Sequence, residues 1–283
     1  MIRVLHPGYY STIQDMGRVG YAHLGVPQSG VMDRRAAKKI NAILGNPMTS
    51  ALIEVGLGNA KFRFESPAVI AVGGARFNVS LNGTSIKNDE AIIARPGDIV
   101  YFKNPLQGVW AYLGVRGGIG TKQVLGSRSY YTQITPHQKL YQGQVLPMGK
   151  LEDGLVDVPS SVICKEMDDH FISKEIQVNP GPEWSLLSLR ERAVLMQSSF
   201  TISEMVSRMG YRLKQRLVHH LPSILSSGVL PGTVQTTSSG QLIVLLRDAQ
   251  ATGGYPRILQ LTSDAIDKFV QKQPGEQIVF KMF

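Results

Sequence analysis

The 283 residues carry 30 Lys and Arg against 21 Asp and Glu, a net charge of +9, with 43% hydrophobic and 18% charged residues. This is a globular balance, with enough chain for one large domain or two ordinary ones. No apolar run approaches the ~20 residues that span a bilayer, MIRVLHPGYY lacks a signal-peptide pattern, and the single cysteine, Cys164, cannot pair within the chain, so a reducing cytoplasm is the expected location.

In chain order, the first informative stretch is TIQDMGRVGYAHLGVPQSGVMD, residues 12–33. It sets Gln14, Asp15 and Arg18 in one turn-like segment. Ser29, Gly30 and Asp33 lie just ahead of a predicted helix, where free backbone N–H groups favour an anion. Asp33 also reads simply as that helix's cap. The helix spans Asp33–Leu44, with Ala36, Ala37, Ile40, Ile43 and Leu44 on one face and Gly45 and Pro47 as stops. Strands follow at Ala68–Val72, Phe77–Leu81, Ile99–Phe102 and Val109–Val115, short and rich in β-branched or aromatic residues. Asn82-Gly83, Pro96-Gly97 and Gly117-Gly118 are turn signals. VLGSRS, residues 124–129, offers Ser127 and Arg128 after a glycine. Cys164 beside Lys165 reads as an inert thiol. A helix is predicted over Ser185–Met196. SRMGYRL, 207–213, groups Arg208, Tyr211 and Arg212. The strand Leu242–Leu246 then runs into RDAQATGGYPRI, 247–258, which adds Arg247, Asp248, Gln250, Thr252, Gly253 and Gly254. A helix over Ser263–Lys272, capped by Ser263, and a strand over Gln277–Phe280 complete the chain.

An internal repeat underlies this order. GRVGY at 17–21 matches SRMGY at 207–211, and each is followed by Ser-Gly-Val. VIAVGGARF matches the strand entering RDAQATGGYPRI. ARPGDIVYF matches KQPGEQIVF, a Pro-Gly-acid turn before a strand. Four features in the same order point to a duplicated β-barrel module. The division that follows is a first barrel over 1–120, a connecting segment with strands and a helix over 121–198, and a second barrel over 199–283.

Several chemistries leave no trace. There is no GxxxxGK[ST], no GxGxxG after a strand, no GxSxG elbow, and no HExxH or Cys-x-x-Cys among the six histidines and one cysteine. No metal site is therefore expected. The positive charge is scattered rather than blocked, which argues against nucleic acid. What recurs is arginine, hydroxyl and glycine in loops. A solvated surface accounts for any one such arginine. As a set they suit a carboxylate, amide or phosphate ligand, since glycine admits close backbone approach and arginine forks onto anions.

TIQDMGRVGYAHLGVPQSGVMD, LGNPMTSALIE, VRGGI with VLGSRS, SRMGYRL, SSGVLPGTVQ and RDAQATGGYPRI together resemble the carboxyltransferase subdomain A/B family, also called the KipA-like or allophanate hydrolase subunit 2 family. Its bacterial members include the C subunit of 5-oxoprolinase, and a homologous segment occurs in urea carboxylase. The resemblance implies a mainly β fold of two cyclophilin-like β-barrels with a few helices. It implies one component of a complex that, with a KipI-like partner and a LamB/YcsF-like partner, hydrolyses 5-oxo-L-proline to L-glutamate with ATP as co-substrate. On this reading Asp15, Gln14, Arg208 and Asp248 are catalytic, and Arg18, Ser29, Ser127, Arg128, Tyr211, Arg212, Gln250, Thr252, Gly253 and Gly254 bind substrate. Two alternatives come with the family: a regulator that binds and antagonises a KipI-type kinase inhibitor, and a component of a biotin-dependent, urea-type carboxyltransferase. The chain departs from the family pattern at Ser207, where an acid is expected, at Gly120, where an aspartate is expected, at Thr237-Ser238, in place of a proline pair, and at Arg247, which precedes the acid of its loop.

Overall fold

The computed structural model describes residues 1–149 and 169–283; Cys164 and its neighbour Lys165 lie outside the described residues. The chain forms two compact units. One contains Met1–Arg18 and residues 29–149. The other contains Val19–Gln28 and residues 169–283.

The first unit is built on one nine-stranded antiparallel sheet. Its main path runs Tyr10–Gln14, Leu52–Gly56, Ile99–Val115, Ala60–Phe64, Ile2–Pro7 and Val145–Leu146, and Ala68–Leu81 pairs along the long Ile99–Val115 strand. Alternation explains the core. In Ala60–Phe64 the buried residues are Ala60, Phe62 and Phe64, and these join Ile2, Val4, Ile53, Ile70, Phe102 and Leu113 in one cluster. Each large apolar side chain among them contributes about 1.5–3 kcal/mol by leaving water. The helix Arg34–Ile43 begins where Asp33 accepts from the Ala36 N–H at 2.9 Å. It buries Ala37, Ile40 and Ile43.

Two pairs of predicted strands are single strands. Ala68–Val72 and Phe77–Leu81 are one, Ala68–Leu81, and Ile99–Phe102 and Val109–Val115 are one, Ile99–Val115. Gly73-Gly74 looks like a turn in sequence. In the structure Gly74 takes φ +80° and a register shift between Gly74 and Arg76 absorbs it, so the chain bulges without leaving the sheet.

The second unit is a closed seven-stranded barrel. Around it run Glu175–Pro180, Arg257–Leu261, Thr233–Thr236, Gln241–Leu245, Gly210–Arg216, Ser199–Ser207 and Gln277–Met282. Every pairing is antiparallel except Gln277–Met282 with Glu175–Pro180, which closes the ring in parallel. Phe200, Ile202, Tyr211, Leu213, Leu242, Val244, Ile278 and Phe280 point inward and are buried. The helix predicted over Ser185–Met196 is a single 3-10 turn, Trp184–Leu186, followed by Leu189–Gln197. The latter is started by a capping box between Ser188 and Glu191. The last helix is Ser263–Phe269, capped by Thr262 rather than Ser263. The expected class, mainly β with two cyclophilin-like barrel units and a few helices, stands. Among the described residues no helix is long and apolar enough to cross a membrane.

Candidate functional site

In the first unit the predicted residues gather around Asp15. Its Oδ1 accepts from the Gly17 N–H at 2.8 Å, the Ser127 hydroxyl at 2.6 Å and the Ser129 hydroxyl at 2.7 Å, and its Oδ2 accepts from the Arg128 N–H at 2.6 Å. One carboxylate thus joins the 15–17 turn to the 127–129 turn. Arg18, 2% exposed, donates from Nη2 to the Ser129 carbonyl at 2.5 Å. Gln14 is fully buried; its amide donates to Thr12 Oγ1 and to the Tyr130 carbonyl, and its Oε1 accepts from the Gly30 N–H at 3.1 Å. Ser29 is buried at φ +54°. The Arg128 guanidinium turns to the Thr121 carbonyl. With four donors on its carboxylate, Asp15 ties the two turns together.

A second polar group in this unit has no counterpart in the expected set. Glu54, wholly buried in the strand LIEVG, accepts from the Met32 N–H at 2.7 Å and from the Tyr112 hydroxyl at 2.9 Å, and that hydroxyl accepts from the Asp33 N–H at 2.8 Å. Burial, reinforced by the nearby Glu54 and Asp33 carboxylates, pushes the Tyr112 phenol well above its ordinary value. The phenol therefore stays protonated and joins the sheet to the start of the helix. A lone glutamate in an apolar strand was its one trace in the sequence.

In the second unit Arg208 and Asp248 face each other. Nε meets Oδ2 at 2.8 Å and Nη2 meets Oδ1 at 3.0 Å, with both residues buried. Two main-chain bonds run beside them, Asp248 N–H to the Arg208 carbonyl and Leu246 N–H to the Met209 carbonyl. The loop after Gln241–Leu245 is thereby fastened to the turn between Ser199–Ser207 and Gly210–Arg216. Arg247 pairs separately with Asp267 at 3.0 Å.

These fastened loops help wall a cavity of about 440 Å³, lined by Glu204, Met205, Val206, Ser207, Met209, Gly210, Arg212, Gln235, Ile243, Leu245, Gln250 and Tyr255. Of the expected substrate-binding residues, Arg212 and Gln250 line it. Arg208 and Asp248 do not; they hold its walls. Tyr211 is turned into the barrel core, where its hydroxyl donates to the Val270 carbonyl at 3.0 Å. Thr252 and Gly253 form a two-residue ladder with Ser227 and Gly228, and the Gly254 carbonyl accepts from the Ile224 N–H. Gly253 matters by its size. A Cβ there would lie 2.6 Å from Gln235 Nε2, so only glycine leaves the Gln235 carboxamide its place at the cavity. That amide donates to the Tyr255 carbonyl at 3.2 Å.

Behind the ladder, Arg257 clamps Glu183 with Nε at 3.0 Å and Nη2 at 2.7 Å, while its Nη1 donates to the Gly228 carbonyl at 2.8 Å. Hydrogen bonds from Arg257 hold the Glu183 carboxyl below its ordinary range, and the same pairing raises the arginine. Gln235, Ile243, Tyr255, Ser129 and Glu183 were missed in the sequence. Only Ile243 had a clear signal, since alternation in QLIVLL sets it opposite Leu242 and Val244.

Residues 24–282 match the family described as carboxyltransferase domain, subdomain A and B. The chain is 30% identical over 286 residues to the C subunit of 5-oxoprolinase from Escherichia coli (strain K12), covering 99% of this chain and 90% of that one. It is 28% identical over 308 residues to urea amidolyase of Saccharomyces cerevisiae, covering 99% of this chain and 16% of that one. Among solved structures, TTHA0988 superposes with a TM-score of 0.88 at 26% identity, over 99% of this chain and 55% of that chain. The K. lactis urea amidolyase superposes with a TM-score of 0.84 at 25% identity, over 99% of this chain and 18% of that chain. The chain thus spans little over half of the first solved structure and under a fifth of the second.

Proposed function

The chain belongs to the carboxyltransferase domain family, subdomain A and B, and on that premise we propose that it is one component of an ATP-dependent assembly that hydrolyses 5-oxo-L-proline to L-glutamate. The observation that carries this reading is the near end-to-end likeness to a protein named as the C subunit of 5-oxoprolinase, with little of either chain left over. The expected partners are a KipI-like protein and a LamB/YcsF-like protein in the cytoplasm, with ATP as co-substrate. Opening a lactam requires an activated carbonyl. Transfer of the γ-phosphoryl group to the amide oxygen, with ADP leaving, supplies that activation. One water adds at the carbon and the C–N bond breaks, releasing the amine and leaving an acyl phosphate. A second water hydrolyses the acyl phosphate to the carboxylate and phosphate. The anion that develops needs fixed donors.

In this scheme the second unit's cavity holds substrate, with Arg212 and Gln250 toward it and the Arg208–Asp248 pair setting its walls. The Asp15 hub shapes the loops that carry Ser127 and Arg128. Co-expression with both partner types, followed by an assay for ATP-dependent glutamate release from 5-oxoproline, tests the reading. No release from a complete, stable assembly would overturn it. A second reading rests on a separate observation, the likeness to urea amidolyase across 99% of this chain. It makes the chain part of a biotin-dependent carboxyltransferase, whose activity avidin would abolish while leaving an oxoprolinase untouched.

A further inference from the structure

The alternation that buries Tyr211, Leu213, Leu242 and Val244 turns Arg212 and Ile243 to the other face of the barrel wall. Register places Arg212 opposite Ile243, and Ile243 opposite Gln235. A guanidinium, an aliphatic side chain and a carboxamide therefore stand in one row across three neighbouring strands, about 4.8 Å per strand step. In the next row Leu245 faces Gly210. Gln250 closes the group, and all six line the same cavity.

The ion pairs of this unit separate its arginines. Arg208 is committed to Asp248, Arg247 to Asp267 and Arg257 to Glu183. Arg212 is exposed and meets Met205 Sδ at 3.6 Å, with no carboxylate partner among the described residues. The acid among the residues lining the cavity, Glu204, engages Lys214 at 3.7 Å. Arg212 is the guanidinium this cavity offers to a ligand. Its planar fork matches a carboxylate. Carboxamides both donate and accept, which complements an amide. We propose that this row recognises a small monocarboxylate that also carries a neutral amide: Arg212 pairs with the carboxylate, Gln235 and Gln250 with the amide, and Ile243 covers the apolar carbons between them. The proposal locates the ligand of the function above and rests on that reading for its choice of probe.

The test is an NMR titration of the full chain with three probes of similar size. These are 5-oxoproline, cyclopentanecarboxylate, which lacks the amide, and 2-pyrrolidinone, which lacks the carboxylate. The expected order of affinity is 5-oxoproline, then cyclopentanecarboxylate, with 2-pyrrolidinone weakest by at least tenfold. Arg212→Gln should lose at least tenfold for both carboxylates and leave 2-pyrrolidinone unchanged, with Arg212→Lys between them. Arg212 is exposed, so an unchanged melting profile confirms that the variants fold. Equal binding of 2-pyrrolidinone and 5-oxoproline, wild-type affinity in Arg212→Gln, or no shift with any probe overturns the proposal. If carboxylates bind through Arg212 while the full assembly releases no glutamate, the functional reading falls and the site stands.

Discussion

Replacing Asp248 with Ala would remove the carboxylate that meets Arg208, 4% exposed, through bonds of 2.8 and 3.0 Å. Removing one partner of a buried ion pair costs about 3–5 kcal/mol, because the remaining charge has no water to return to. A chain of two units has no single unfolding free energy, so the assay must report on one of them. Two tryptophans make that possible: Trp110 lies in the first unit, and Trp184 lies in the second beside the Arg192 guanidinium, 5.5 Å from its ring. In a Trp110→Phe background, Trp184 fluorescence in urea follows the second unit alone. With a slope of about 2 kcal/mol per molar, Asp248→Ala should lower the midpoint by roughly 2 M. The double replacement Arg208→Met with Asp248→Leu removes the charge together with its need for a partner and should recover most of that loss. A midpoint within about 0.3 M of the parent for Asp248→Ala, a difference near the error of extrapolation, would refute the reasoning. So would a double variant no more stable than the single one.

Asp15→Asn replaces an acceptor of four hydrogen bonds by an amide that must turn donors toward donors. The loss should be about 2–4 kcal/mol in the first unit, read from Trp110 fluorescence in a Trp184→Phe background. Gly253→Ala should displace the end of the flexible Gln235 side chain rather than the barrel, so stability should fall by under about 1 kcal/mol while 5-oxoproline binding weakens severalfold by titration. Glu183 has a folded pKa below its ordinary value. The stability it contributes is therefore complete above about pH 4.3 and is lost as pH falls through the folded value. The stability gap between wild type and Glu183→Gln should be widest near neutrality and narrow below about pH 4.3, as measured by urea unfolding across an acid series.

The frame was legible because it is written locally. Alternation marked the strands, and Asp33 marked the first helix. What misled were local signals overruled by the sheet. Gly73-Gly74 reads as a turn until the neighbouring long strand offers partners on both sides of a bulge. Thr262 displaced Ser263 as a cap by one position, because the side chain that reaches the Ala265 N–H is Thr262. The site was legible as a set of residues but not as a set of roles. Sequence shows that arginines abound, yet which of them is committed depends on acids far along the chain. Arg208 finds Asp248 40 residues away, Arg257 finds Glu183 74 away, and Asp15 meets Ser127 at a separation of 112. The asymmetry of the repeat could be read: where the first unit bulges through Gly74, the second interrupts its strand with 246–251 and uses the inserted residues for Asp248 and Gln250.

Val19–Gln28 belongs to the unit that otherwise consists of residues 169–283, while the chain on either side of it belongs to the other unit. During synthesis this gives the two units different waiting times. At about 5–20 residues per second, the first unit has its strands soon after residue 149 emerges, but Val19–Gln28 waits on the order of ten seconds or more for the last strand of its barrel. A ribosome that stalls late therefore leaves one unit able to finish and a short segment from near the start with nothing to join. A continuous piece of gene that carries the first unit therefore carries Val19–Gln28 with it, and one that covers residues 169–283 leaves that segment out.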